Sequence, residues 1–400
     1  MKAVILAAGE GQRMRPLTAN RPKVMLPVAG KPILEHLLAE VKAAGVTDFI
    51  FVVGYCDKQV RGYFGRGDVW GVKIEYFEQR KQLGTADAIR MAADTVTGNF
   101  LVVNGDVIIN RADIKRLMKS TRSAMGVMEV QDPHGLGIVE LADGKVVGIY
   151  EKVANPPTMM ANTGLYLFTP DIFGAIAKTE KSPRGEYEIT DSLKILMEQK
   201  PGLHYTEIKS WVDLSYPWDI LRANEAMMPA MKGENLGEIE ANVVIKGSVA
   251  IGKNTLVKSG SYIEGPVIIG EDCRIGPNCY IRPCTAIGND CHIGAAVEIK
   301  NSVIMNHTAV PHLNYIGDSV IGEGCNFGAG TKVANLRLDK KNIRVNGLDT
   351  GRQKLGAVIG DNVQTGINTS INVGTVIGSG TFIGPGAVVK GNILPGSKIF

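Results

Sequence analysis

Residues 261–294 read SYIEGPVIIGEDCRIGPNCYIRPCTAIGNDCHIG, with Ile263, Ile269, Ile275, Ile281, Ile287 and Ile293 recurring every six residues. That period fits neither an α-helix nor a simply alternating strand. Outward from this stretch the spacing runs back through Val257 and Ile251 to Ile245 and forward to Ile299. After one-residue slips it continues through Ile304, Val310 and Ile316, then Ile321, Phe327 and Val333. It resumes at Ile359, with Thr365 in the next slot, and runs through Ile371, Ile377, Ile383 and Val389. The residue two before each early anchor is small or β-branched, as at Val249, Thr255, Ser261, Cys273 and Cys279. Glycine often follows the anchor, as at Gly252, Gly270 and Gly288. Two inward positions per repeat, punctuated by turn residues, describe short strands joined by tight corners, the hexapeptide signature of a parallel β-helix. Three such sides close one coil, so residues eighteen apart stack at about 4.8 Å. A two-sheet sandwich of short strands would not hold one phase through so many anchors.

At 400 residues the chain exceeds the usual size of a single core. Up to about Asn224 apolar strands alternate with helical patterns, and from about Gly237 the text is hexapeptide. The expected division is therefore residues 1–225, a linker at 226–240, and a β-helix at 241–400. A net charge of +4 with 21% charged residues of mixed sign gives no nucleic-acid stripe and suits anionic small-molecule substrates. There is no signal-peptide pattern or long uncharged apolar run, so a cytoplasmic protein with no membrane partner is expected. Cys273, Cys279, Cys291 and Cys325 occupy the small inward slot and read as core thiols rather than metal ligands; Cys56 and Cys284 read as loop or surface.

The opening 36 residues read MKAVILAAGEGQRMRPLTANRPKVMLPVAGKPILEH. Ala3–Ala7 is a buried parallel strand, followed by a glycine loop whose backbone amides can approach phosphates. It is neither a Walker loop, which ends in Gly-Lys-Ser/Thr, nor a dinucleotide loop, since Met14 stands where a third glycine belongs. Arg13 and Lys23 add positive charge for a triphosphate and a sugar phosphate. The string resembles the signature of sugar-1-phosphate nucleotidyltransferases nearly position for position. That resemblance implies an α/β Rossmann-like nucleotidyltransferase domain in which Leu6, Ala7, Ala8 and Gly9 line the nucleotide. It further implies that Gln79 and Gln82 read a pyrimidine edge, with the Gly84-Thr85 backbone close to it.

Phe100–Asn104 is an apolar strand leading to Asp106, at the carboxyl end of a sheet where ligands bind in open α/β folds. Trp211-Val-Asp213 repeats the pattern, and the resemblance makes Asp106 and Asp213 ligands of Mg²⁺, which prefers oxygen donors and substrate phosphates. Gly137, Glu151, Lys152 and Asn162 resemble the sugar-contacting segments, although Val153 stands where the family usually has proline. The implied chemistry is attack of a sugar-1-phosphate oxygen on the α-phosphorus of UTP or dTTP, with pyrophosphate leaving. The nucleophile is already anionic, so alignment and charge neutralisation suffice.

The hexapeptide half resembles the left-handed β-helix of hexapeptide acyltransferases, which usually trimerise. More closely, the stretch from Val297 to Asn335 resembles bifunctional sugar-1-phosphate nucleotidyltransferase/acetyltransferases. By that resemblance His312 is the general base, Arg282, Lys300 and Tyr315 hold the acceptor phosphate, Asn326 and Asn335 position the amino sugar, and Ala329 meets acetyl-CoA. A group titrating near neutrality suits proton removal from an amine. Leu336-Arg337 follows Asn335 where bacterial members have Tyr-Asp-Gly, and the excursion from about 336 to 355 leaves the repeat just after these residues. The expected activity is acetylation of glucosamine-1-phosphate or galactosamine-1-phosphate, followed by coupling of N-acetylglucosamine-1-phosphate, or glucose-1-phosphate, to the nucleotide. Two other readings stand: a monofunctional nucleotidyltransferase trimerised by an inert β-helix, and a non-catalytic binding assembly like translation initiation factor 2B subunits.

Overall fold

The computed structural model describes residues 1–199 and 203–400, which separate into two compact units. The first comprises Met1–Glu10, Arg21–Met25 and Pro32–Asp213, and the second Gly11–Asn20, Leu26–Lys31 and Leu214–Phe400.

In the first unit Lys2–Ala7 pairs in parallel with Asp48–Val53 on one side and Phe100–Asn104 on the other. Lys73–Glu78 extends the parallel set beyond Asp48–Val53. Both faces of the first strand are buried, which is why it reads as unbroken apolar sequence. Ala3, Ile5 and Ala7 join a core with Leu34, Leu37 and Val41. Val4 faces the opposite core with Ile50, Val52, Ala86 and Ile89. Beyond Phe100–Asn104 the sheet turns antiparallel through Met160–Phe168 and continues to nine strands. This is a Rossmann-like half-sheet with an antiparallel extension.

Trp211–Asp213 does not join that sheet at the carboxyl ends of the parallel strands. It forms a two-stranded antiparallel ribbon with Val107–Ile109, Asp213 opposite Val107. The ribbon is anchored by the fully buried Asp113, whose carboxylate accepts from Arg116 and from the backbone N–H groups of Lys209 and Ser210.

In the second unit three parallel sheets of nine, nine and eight strands stack coil on coil. Ile281 lies beneath Ile299, and Ile299 beneath Ile316, so the one-residue slips in the period are coils shortened by one residue. The anchors and the four thiols Cys273, Cys279, Cys291 and Cys325 share one interior core. The coil begins earlier than the hexapeptide text: within 226–240, Glu234–Asn235 and Glu238–Ile239 already pair as coil strands, following a helix at Asp219–Met227. Corners turn at left-handed residues three past the anchor, such as Asn254, Asp272, Asn278 and Asp290. Asn, Asp and Gly carry little penalty there, and they set the corner more than the glycine after the anchor does. After Val333 the coil resumes at Ala357–Ile359, which pairs with Val320–Ile321, and Ile371 stacks on Val333; the intervening excursion holds a hairpin of Arg344–Val345 with Leu348–Asp349.

Phe327 fills an anchor slot with 0% exposure. Phe327→Ala is expected to cost about 3–5 kcal/mol, read as a lowered unfolding transition in calorimetry of the full chain. A loss below about 1 kcal/mol would mean that the coil closes around the gap.

Candidate active sites

At the end of the first strand the Ala8 carbonyl is pinned by two donors, the Tyr55 backbone N–H at 3.1 Å and Gln82 Nε2 at 3.1 Å. A Cβ built at Gly9 meets nothing within 4 Å, so the protein's own packing does not demand glycine there and the space above the backbone is open. Gln79 is buried, and its amide donates to the Gly84 carbonyl at 3.1 Å and to Asp87 at 2.9 Å. Its donor is thus committed to shaping the loop rather than directed at a base. Gly84 has φ +106, and a Cβ there would lie 2.5 Å from the Tyr187 carbonyl oxygen. Close backbone packing therefore accounts for that glycine. Thr85 accepts from the Ile189 backbone N–H at 2.9 Å and opens a short helix, Thr85–Arg90.

Lys23 Nζ lies 2.5 Å from Asp106 Oδ2, the lysine 13% and the aspartate 32% exposed. Because Asp213 stands opposite Val107, the ribbon sets the two candidate carboxylates at neighbouring register positions. Both are hard oxygen donors, the ligand type that Mg²⁺ takes together with substrate phosphates. Arg13 belongs to the second unit, its guanidinium 6.0 Å from the Tyr216 ring centroid.

The sugar-contacting candidates converge. Gly137 pairs with Glu151 across a hairpin, and a Cβ on Gly137 would come 3.0 Å from Glu151 Oε2 and 3.7 Å from Asn162 Cβ. Glu151 pairs with Lys152 at 3.1 Å and Arg184 at 3.5 Å. Lys152 has φ 50, and Val153 in place of proline spares it the restriction a following proline imposes. Asn162 donates to the Tyr166 hydroxyl at 2.7 Å. Arg184 was not foreseen from the sequence. It also binds Glu188 at 2.7 Å, whose carboxyl burial pushes up in pKa, only partly offset by the arginine.

In the second unit His312 is exposed, at the end of the strand Ala309–His312 and just before a corner at Leu313. Leu313 has φ 54, a left-handed geometry unusual for a branched apolar residue, and its carbonyl accepts from Lys332 Nζ. His292 lies on the adjacent strand opposite Ala309, and burial, then electrostatic interaction with His312, lowers its pKa.

Lys300 binds Asp318 at 2.9 Å, and Asn335 donates to Asp318 at 2.5 Å and to the Tyr315 hydroxyl at 3.2 Å. Burial first, then the charges of Glu298 and Asp318, raise the pKa of the Tyr315 hydroxyl. Arg282 pairs with Glu298 at 2.8 Å, which reinforces its charge. Asn326 is exposed and Ala329 half-buried on the coil surface. Asp318, 2% exposed, is the hub that sequence reading passed over.

Residues 2–229 match the Nucleotidyl transferase family and residues 263–377 the GMPPB C-terminal domain. The "Bifunctional protein GlmU" of Methanocaldococcus jannaschii is 42% identical over 375 residues, covering 92% of this chain and 90% of that protein. The "Bifunctional sugar-1-phosphate nucleotidylyltransferase/acetyltransferase" of Sulfurisphaera tokodaii is 39% identical over 379 residues, covering 92% of each chain. Among solved structures, a putative glucose-1-phosphate thymidylyltransferase from Bacillus anthracis superposes with a TM-score of 0.54 at 30% identity. It covers 58% of this chain and 98% of that one. With likeness of this extent across both halves, the chain belongs to the family of bifunctional sugar-1-phosphate nucleotidylyltransferase/acetyltransferases.

Proposed function

We propose that the second half acetylates glucosamine-1-phosphate, or galactosamine-1-phosphate, from acetyl-CoA, and that the first half couples N-acetylglucosamine-1-phosphate, or glucose-1-phosphate, to UTP or dTTP with release of pyrophosphate. The observation that carries both activities is that the family likeness spans 92% of the chain while each unit has its own charged constellation. In the first, Lys23 neutralises phosphate charge, Leu6, Ala7, Ala8, Gly9, Gln82, Gly84 and Thr85 shape the nucleotide loop with Gln79 behind them, and Gly137, Glu151, Lys152 and Asn162 bind the sugar. Arg13 keeps its assignment to the triphosphate from the signature. Asp106 and Asp213 would hold Mg²⁺, which supplies further charge neutralisation when bound. In the second, His312 removes the proton from the attacking amine, Arg282, Lys300 and Tyr315 hold the phosphate, Asn326 and Asn335 orient the sugar, and Ala329 leaves room for the acyl donor.

The hexapeptide period and family likeness support a left-handed coil and a homotrimer, and the change of text near residue 225 supports a division there, with the first coil strands already at Glu234–Asn235 and Glu238–Ile239. Exposed Phe382, Val388, Leu394 and Phe400 on the last coils support self-association. A cytoplasmic location accords with the sequence, and no described helix is long and apolar enough to cross a membrane. Profiling the full chain across nucleotide and sugar-phosphate pairs is expected to give most pyrophosphate with UTP and N-acetylglucosamine-1-phosphate, and free CoA with glucosamine-1-phosphate. No CoA release from any amino-sugar-1-phosphate would leave only the nucleotidyl half.

A further inference from the structure

Three irregularities of the coil fall at one corner, between the third face and the first. Asn301 and Asp318 are left-handed, with φ 45 and 49, only two residues past the anchors Ile299 and Ile316. One coil further on, the same corner releases the excursion, which closes through a Leu336–Lys354 bridge, and Gly356 N–H then donates to the Asp318 carbonyl at 2.8 Å. The period slips and the excursion thus mark one place in the fold.

Side chains from outside the repeat enter that corner. Glu225, on the helix Asp219–Met227, accepts from Arg352 of the excursion at 2.5 Å and 3.3 Å and from Asn301 Nδ2 at 2.7 Å. The same Asn301 amide donates to Asp318 Oδ1 at 2.8 Å. Asp318 Oδ2 in turn accepts from Lys300 and Asn335. A carboxylate 2% exposed requires such compensation, and here it comes from one ammonium and two amides. Two of its three donors are acceptor-site candidates.

We propose that Asp318, Glu225 and Arg352 are positioning residues of the acetyl-acceptor site, an inference that rests on the acetyl-transfer reading above. Asp318 fixes Lys300 and Asn335, and the Arg352–Glu225 pair fixes the Asn301 amide that fixes Asp318. The excursion and the Asp219–Met227 helix are therefore parts of the acceptor site, which the hexapeptides alone leave incomplete.

The test is steady-state CoA release by the full chain with glucosamine-1-phosphate. Glu225→Gln and Arg352→Met are each expected to raise the acceptor KM about five- to tenfold, with kcat and the acetyl-CoA KM within about twofold. The exchange of Glu225→Arg with Arg352→Glu is expected to restore most of the loss, which a general packing defect would not permit. Thermal unfolding of the same preparations, expected to keep the wild-type transition of the coil, reports that the second unit is folded. An unmoved acceptor KM, or an equal rise in both KM values, overturns the proposal. A wild-type chain that releases no CoA with any amino-sugar-1-phosphate removes the acetyl-transfer reading itself.

Discussion

Asp106→Asn is expected to slow pyrophosphate release on the order of 10²–10³-fold while leaving CoA release within about twofold. The substitution keeps the shape of the side chain and removes its charge. The turn that carries it is fixed by backbone: a Cβ on Gly105 would come 2.8 Å from the Leu6 carbonyl oxygen, and Gly105 N–H donates to that oxygen at 2.9 Å. The substituted amide would therefore stand where the carboxylate of Asp106 stands. Two effects compete to explain any loss. If the Lys23–Asp106 pair were only structural, its removal would cost at most about 1 kcal/mol, since the aspartate is one-third exposed and solvent screens the pair. If the carboxylate organises the phosphates, stability hardly changes and turnover collapses. Thermal unfolding measured beside pyrophosphate release separates the two, and Mn²⁺ binding followed by electron paramagnetic resonance adds a readout independent of turnover, expected to weaken in the variant. Retained turnover would remove Asp106 from the site.

The hexapeptide half was legible because its period is a property of the interior: each anchor packs on the anchor one coil away, so the pattern survives without knowledge of distant partners. Even the one-residue slips had meaning, as shortened corners at Asn301 and Asp318. What the text concealed is long-range. Nothing local says that Arg352 meets Glu225, or that Asp113 ties down the turn at Lys209 and Ser210. Trp211–Asp213 has the composition of a sheet strand, yet its backbone pairs with Val107–Ile109, because strand partners are a matter of topology and not of alternation. Gln79 and Gly84 show the converse limit. Residue types suited to a base pocket are partly used by the protein on itself, in a hydrogen bond from the Gln79 amide to Asp87 and close packing of Gly84 on Tyr187.

His312→Ala is expected to reduce CoA release by about 10²–10⁴-fold, the range a positioned general base contributes, with pyrophosphate release unchanged. The amine of the acceptor must lose a proton as it attacks the thioester carbonyl and CoA departs as the thiol, so a proton acceptor has to stand at the coil surface. His312 meets that requirement by exposure, and the corner after it is held in a costly conformation at Leu313 with Lys332 bound to its carbonyl. Strain kept at a corner that Asn or Gly would occupy without penalty points to a fixed presentation of the preceding side chain. The rival is His292, whose pKa is lowered by burial first and then by the neighbouring His312. Its backbone lies opposite Ala309 at the start of its own strand, two residues past the corner at Asp290, and no left-handed residue follows it directly as Leu313 follows His312. His292→Ala is accordingly expected to cost less than about tenfold, and added imidazole to restore part of the activity of His312→Ala but not to stimulate the wild type. If the His292 variant loses CoA release and the His312 variant keeps it, the base has been assigned to the wrong imidazole of the pair. If neither substitution matters, proton removal in this coil does not depend on histidine.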